Sequence, residues 1–151
     1  MKKFVFTLQA LFNYKQTVEK MQKAELKKAQ QALKELQREE QRLLRAWADN
    51  EKSLEWALRT SEDLGTALSE HDAYFRFLRD ALKEIREKIV KAEEVVLQCQ
   101  EQLIVTMKEI KTYNKLRDEQ YQRYRKEVQA EDDKEMGDLV SFNVINEEIN
   151  A

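Results

Sequence analysis

The sequence predicts an all-α protein, a long antiparallel two-helix coiled-coil hairpin, on three observations. The first is punctuation: 151 residues contain no proline and only two glycines, too little of the turn chemistry that separates strands. The second is composition. Ala, Glu, Lys, Leu and Arg supply 78 of the 151 residues, a share that marks coiled coils and long helices when apolar residues recur at helical spacing. The third is that spacing, which occurs in two separate seams.

The first helix is expected over about 4–64. From Leu26 the steps of three and four land on Ala29, Leu33, Leu36, Glu40, Leu43, Trp47, Asn50, Leu54, Ala57, Ser61, Leu64 and Leu68. Glu40, Asn50 and Ser61 interrupt this seam with polar groups. Upstream, Phe4, Leu8, Leu11, Val18 and Met21 form an apolar face out of phase with it. The phase change predicts a rotation of the buried face near Ala24, as a stutter produces.

A turn is expected over about 65–71. Gly65 suits the left-handed residue that ends many helices, and Ser69 with Asp72 reads as an N-cap for the second helix. A continuous helix through Gly65 in a parallel homodimer is the alternative, since one glycine costs a helix only about 1 kcal/mol.

The second helix is expected over about 72–136. Its seam runs Phe75, Leu78, Leu82, Ile85, Ile89, Ala92, Val96, Cys99 and Leu103, then less cleanly through Thr106 or Met107 to Ile110, Tyr113 and Tyr124. The two helices and their turn form one coiled-coil hairpin over 1–136. Beyond Gly137 no helical period is visible, and 137–151 reads as a flexible acidic tail, mobile alone or extended on a partner.

Charge is balanced globally at −2 but uneven locally. Met1–Lys34 holds eight basic and two acidic residues, and Lys108–Lys126 holds seven and three. A hairpin lays these segments side by side, which makes its open end basic. From Glu127 onward eight acidic residues face Lys134 alone. A basic helical end has several readings: a solvated coiled-coil face, a membrane-surface helix, a nucleic-acid binder, or an apolar tip docked in an acidic protein socket. The balanced net charge and the neighbouring acidic tail speak against nucleic acid. No apolar run approaches the roughly 20 residues that span a bilayer. The opening Met1–Phe12 is interrupted by Thr7 and Gln9 and does not read as a signal peptide. A single cysteine suggests a reducing compartment, and the expected location is cytoplasmic.

Catalytic chemistry is poorly supplied. His71 is the one histidine and Cys99 the one cysteine, whereas a metal site or a Ser-His-Asp arrangement needs several such groups converging in a pocket. His71 reads as a surface or capping residue and Cys99 as a core thiol. No phosphate-binding glycine loop is present. The expectation is no enzyme, no cofactor and no metal. Aromatic side chains are then the best interaction anchors on a narrow molecule. Trp47 falls on the first seam and should be core, and Trp56 lies off it and should be exposed. Tyr74 and Phe77 flank the second seam, where core is the commoner fate.

Both ends of the chain resemble a known family. Phe4-Val5-Phe6-Thr7-Leu8-Gln9-Ala10-Leu11 resembles the F-x-F-x-L-Q-x-L opening of the flagellar export protein FliJ family. Lys115-Leu116-Arg117-Asp118-Glu119-Gln120-Tyr121-Gln122-Arg123-Tyr124, followed by Glu127, Glu131 and Met136, is similar to that family's second-helix end. The family often continues with an Asp-Glu pair, where this chain reads Met136-Gly137-Asp138-Leu139.

The resemblance implies a soluble, non-enzymatic stalk-like component of flagellar type III export. Its open end would enter the export ATPase hexamer and promote assembly and activity. It would also link that ring to the export gate protein FlhA and receive export chaperones. Such a protein would be cytoplasmic and peripheral at the inner face of the cell membrane. Phe4, Leu8, Leu11, Tyr14, Tyr121 and Tyr124 are then expected at the ATPase ring, and Trp56, Tyr74 and Phe77 at the gate. A passive coiled-coil tether or the equivalent stalk of a virulence secretion system are the alternatives.

Overall fold

A computed structural model describes residues 2–150. Its elements are α1 (Gln9–Thr60) and α2 (Leu64–Asn150). The two long helices pack against each other, and no strand occurs among the described residues. The chain divides into two compact units: unit 1 is Met1–Glu19 with Val105–Ala151, and unit 2 is Lys20–Ile104.

In unit 2 the heptad seams become the core. Leu43, Leu78, Leu82 and Ile85 are buried together, with Leu36, Leu44, Ala46, Trp47 and Ala81 packed against them. Every expected seam position from Leu26 to Ala57 on α1, and from Phe75 to Leu103 on α2, is buried or half-buried. Each apolar side chain so removed from water contributes about 1.5–3 kcal/mol. Trp47 packs on Phe75 with ring centroids 4.6 Å apart. Cross-helix pairs set the direction. The Asn50 side-chain amide donates to the His71 carbonyl at 3.1 Å, and Arg86 meets Glu40 at 3.4 Å. Residue numbers fall on α2 as they rise on α1, so the pair is antiparallel. Asn50, the polar break in the first seam, is buried with its donor paired, which removes most of the cost of placing an amide there.

The turn differs from the sequence expectation. It occupies 61–63, and α2 starts at Leu64 rather than near 72. Gly65 lies in the first turn of α2 without a positive φ, so it does not close a helix. Asp63 is the cap: its carboxylate accepts the Thr66 backbone N–H at 3.1 Å and the Thr66 hydroxyl. Ser69 is inside the helix. A side-chain cap that satisfies an orphan N–H fixes a helix start better than a permissive residue does. The break also removes the continuous helix required by a parallel dimer. Ala67 and His71 extend the second seam back toward the turn.

In unit 1, residues 2–6 are not helical, and α1 begins only at Gln9. Phe6, Phe12 and Ile110 are buried, with Phe4, Leu8 and Tyr113 packed against them. The expected out-of-phase face does not form as one stripe: Phe4, Leu8 and Val18 are half-buried, but Leu11 and Met21 are exposed. The buried or half-buried positions of α1 in this unit include Phe12, Lys15 and Glu19, with Leu8 just before the helix, and Gln22 and Leu26 follow in unit 2. Steps of four and three therefore hold through α1, and no stutter occurs near Ala24. The phase was concealed by charge and polarity: Lys15, Glu19 and Gln22 occupy seam positions. Lys15 forms an ion pair with Glu109 across the helices. Gln22 keeps a buried Oε1 with no hydrogen-bond partner.

Past Gly137 the structure is helical rather than irregular, and α2 runs on to Asn150. Every residue of 133–150 is exposed.

Candidate protein-interaction surfaces

Unit 1 carries an aromatic surface built by the non-helical N-terminal segment lying on α2. Phe4 meets the Tyr121 ring edge-on at 5.2 Å and the Tyr124 ring at 5.6 Å. Tyr121 and Tyr124 are spaced three apart on one helix face. The Tyr124 hydroxyl donates to the Lys2 carbonyl at 2.5 Å, which ties the segment down. Beneath, Arg117 lies 5.9 Å from the Phe12 ring centroid, a cation–π contact. A groove of about 760 Å³ beside the trio is lined by Lys2, Lys3 and Arg123 as well as Glu127 and Glu131.

Six residues were expected to share a contact surface here. The structure brings Phe4, Tyr121 and Tyr124 together and packs Leu8 against the Phe6–Phe12–Ile110 core. Leu11 and Tyr14 are exposed and stand outside that aromatic cluster. Sequence reasoning missed Phe6 and Phe12 as the true core. A signal for Phe12 was available, because stepping the Leu26 seam backward by four and three reaches Phe12 and then Leu8.

Lys15 has its pKa raised, chiefly by the hydrogen bond to Glu109, with burial opposing and the same carboxylate's charge adding. The pair keeps a cation at a seam position charged.

Unit 2 carries the other expected set. Trp56 is 69% exposed, as its phase predicts. Tyr74 and Phe77 are also exposed rather than core, with rings stacked at 6.2 Å and 15°. The core positions they flank are taken by Phe75 and Leu78. His71 is half-buried near the turn. Its Nδ1 is 2.7 Å from the Ala67 carbonyl and its Nε2 is 3.2 Å from the Ser53 hydroxyl, so it links α2 to α1. Cys99 is a half-buried thiol at a seam position. Asp63 at the turn has its pKa lowered, first by the Thr66 hydroxyl and then by the Thr66 backbone N–H. Arg42, paired with Glu39 on α1, has its pKa raised by that hydrogen bond.

Among the described residues no group of three or more His, Cys, Asp or Glu side chains is placed to hold a metal ion. No helix among them is long and apolar enough to cross a membrane.

Searches of curated proteins and of solved structures returned no match. The family model described as "Flagellar FliJ protein" matches residues 4–148, nearly the whole chain. The match spans the F-x-F-x-L-Q-x-L opening, both helices and most of the acidic C-terminal stretch. The chain belongs to the flagellar FliJ protein family.

Proposed function

We propose that this component of the flagellar export apparatus acts without catalysis, as a stalk-like helical hairpin that enters the export ATPase hexamer. There it promotes hexamer assembly and turnover, and it links the ring to the export gate protein FlhA and to export chaperones. The observation that carries this reading is the family match over residues 4–148. The antiparallel helix pairing and the aromatic trio of Phe4, Tyr121 and Tyr124 beside Lys2, Lys3 and Arg123 support it. Basic and apolar groups together suit an acidic protein socket, where charge steers encounter and rings supply buried area. Peripheral membrane association, in this reading, comes through partners.

The test is to titrate the full chain into its cognate export ATPase while following turnover and hexamer formation. Saturable stimulation is expected. Leu11→Asp with Tyr14→Ala should abolish most of it with helix content unchanged, because both side chains are exposed. Leu8 is a poorer probe, since it packs on the buried cluster and its loss loosens the fold. No stimulation by a folded chain would leave the passive tether as the function. Alanine at Trp56, Tyr74 and Phe77 should weaken binding to the gate protein, and unaltered binding would remove that assignment.

A further inference from the structure

Two features of the chain lie outside the two aromatic surfaces. The first is a groove of about 610 Å³ in unit 2 whose apolar lining is Leu44, Trp47, Leu82 and Val90. Its rim carries Arg79, Lys83 and Arg86, the last paired with Glu40, and one lining acid, Glu87. On α2 this face is opposite Phe77: positions 79, 83, 86 and 90 step by four and three along a stripe about 180–240° around the helix from 77.

The second is the 133–150 end of α2, which is exposed throughout and packs on no other element among the described residues. Phe142, Ile145 and Ile149 are 62%, 54% and 74% exposed and stand at steps of three and four, a single ridge. Asp138 continues the ridge one step back and Glu135 flanks it. An uncovered apolar ridge at the end of α2 leaves apolar area in water that docking would remove.

The two features are complementary in both respects. The ridge is apolar with acidic flanks, and the groove is apolar with a basic rim. Anchors at i, i+3 and i+7 are how a helix lies in a groove. We propose that helix 133–150 of a second copy of this chain docks in the Leu44–Trp47–Leu82–Val90 groove. Phe142, Ile145 and Ile149 enter the apolar floor, and Glu135 and Asp138 meet Arg79 and Lys83. The association is self-recognition between antiparallel hairpins, distinct from a parallel coiled coil, and it is independent of the ATPase reading.

The test uses the full chain with Cys99→Ser. One version carries Val90→Cys and the other, differently tagged, carries Ile145→Cys. Mixed under mild oxidation, they should form a disulfide heterodimer several-fold faster than a control pair with Glu101→Cys in place of Val90→Cys. The unsubstituted chain should sediment as a concentration-dependent self-associating species, weakened by salt as charge pairs require. Phe142→Ser with Ile145→Ser should shift it to monomer with its sedimenting helix pair intact. Reversal by Arg79→Glu with Lys83→Glu should do the same, and adding Glu135→Lys with Asp138→Lys to that same chain should restore its self-association. Equal crosslinking of the control pair, or a monomer at every concentration, would overturn the proposal. Crosslinking within one double-cysteine chain at high dilution would overturn it too, by placing the occupant in the same copy. Charge reversal that no compensating pair restores would assign the groove to a different acidic partner.

Discussion

Unit 2 and unit 1 bury one repeating seam with different materials. In unit 2 the core is aliphatic, with Leu43 on α1 against Leu78, Leu82 and Ile85 on α2. Side chains of that size fill the space between two helices without a third element. In unit 1 the core is aromatic: Phe6 and Phe12 surround Ile110, and Phe4 closes over the outside. The non-helical segment 2–6 supplies Phe6 to this cluster and packs Phe4 against it, whereas the half-buried Trp47 and Phe75 of unit 2 pack between the helices with no such segment. Unit 1 therefore depends on a short terminal segment tied by the Tyr124–Lys2 hydrogen bond, whereas unit 2 depends on long helix. Local opening should begin where few buried contacts hold a segment. The surface proposed to meet a partner is therefore expected to sit on the unit that opens more easily.

Removing one core at a time should separate the two units most clearly. Phe12→Ala deletes a ring that is 4% exposed, and such truncations cost about 3–5 kcal/mol. Hydrogen exchange should lose protection around residues 105–120 while 70–100 keeps it. Equal loss in both stretches would show that the units unfold together and that the aromatic core is no weaker domain of its own. Leu78→Ala is the reciprocal change, at the most buried side chain of unit 2, 1% exposed. It should cost about 2–5 kcal/mol, with protection lost first around 36–50 and 75–90.

A smaller effect tests the turn. The Asp63 carboxyl titrates below its ordinary value because Thr66 donates to the charged form. A carboxyl lowered in the folded state stabilises fully above its unfolded pKa, about 4, and loses that contribution as pH falls through the lower folded value. Acid titration of helix content should therefore show a loss below about pH 4 that Asp63→Asn lacks, since Asn still caps a helix but does not titrate. Identical acid profiles would mean that the cap is not held by charge. The Lys15–Glu109 pair runs the opposite way: Lys15 is raised, so its contribution is present at neutral pH and fades only in strong alkali.

Most of the fold was legible in the sequence because apolar periodicity reports packing directly. From Leu26 to Ala57 and from Phe75 to Leu103, spacing alone located the core. What escaped was material that does not look like core. Lys15, Glu19 and Gln22 hold seam positions as polar residues, so the apolar pattern breaks off there and imitates a stutter. The turn was misplaced because a seam counted past Ala57 finds Leu64 and Leu68, which belong to the next helix. Gly65 is the more conspicuous helix-end signal in the sequence, but Asp63, capping Thr66 beside it, is what starts α2. Of the surfaces, the Phe4–Tyr121–Tyr124 trio was foreshadowed by the resemblance at both ends. The Leu44–Val90 groove was not, since it arises only when two helices are laid together.

The last test is the smallest and turns on Gly65. A helix-ending glycine with positive φ is intolerant of a side chain, and Gly65→Ala would then destabilise. The structure places Gly65 at the second position of α2, without positive φ, where a Cβ would meet only Asp63 Oδ1 at 3.6 Å, an ordinary contact. Alanine there costs nothing in the folded state and restricts the unfolded chain. Gly65→Ala should therefore raise the stability of unit 2 by about 0.4–1 kcal/mol, read as a shift of its denaturation midpoint with an unchanged slope. A fall of that size would return the turn to 65–71 and undo the Asp63 cap. A rise would establish that side-chain capping, rather than backbone freedom, reverses the chain between α1 and α2.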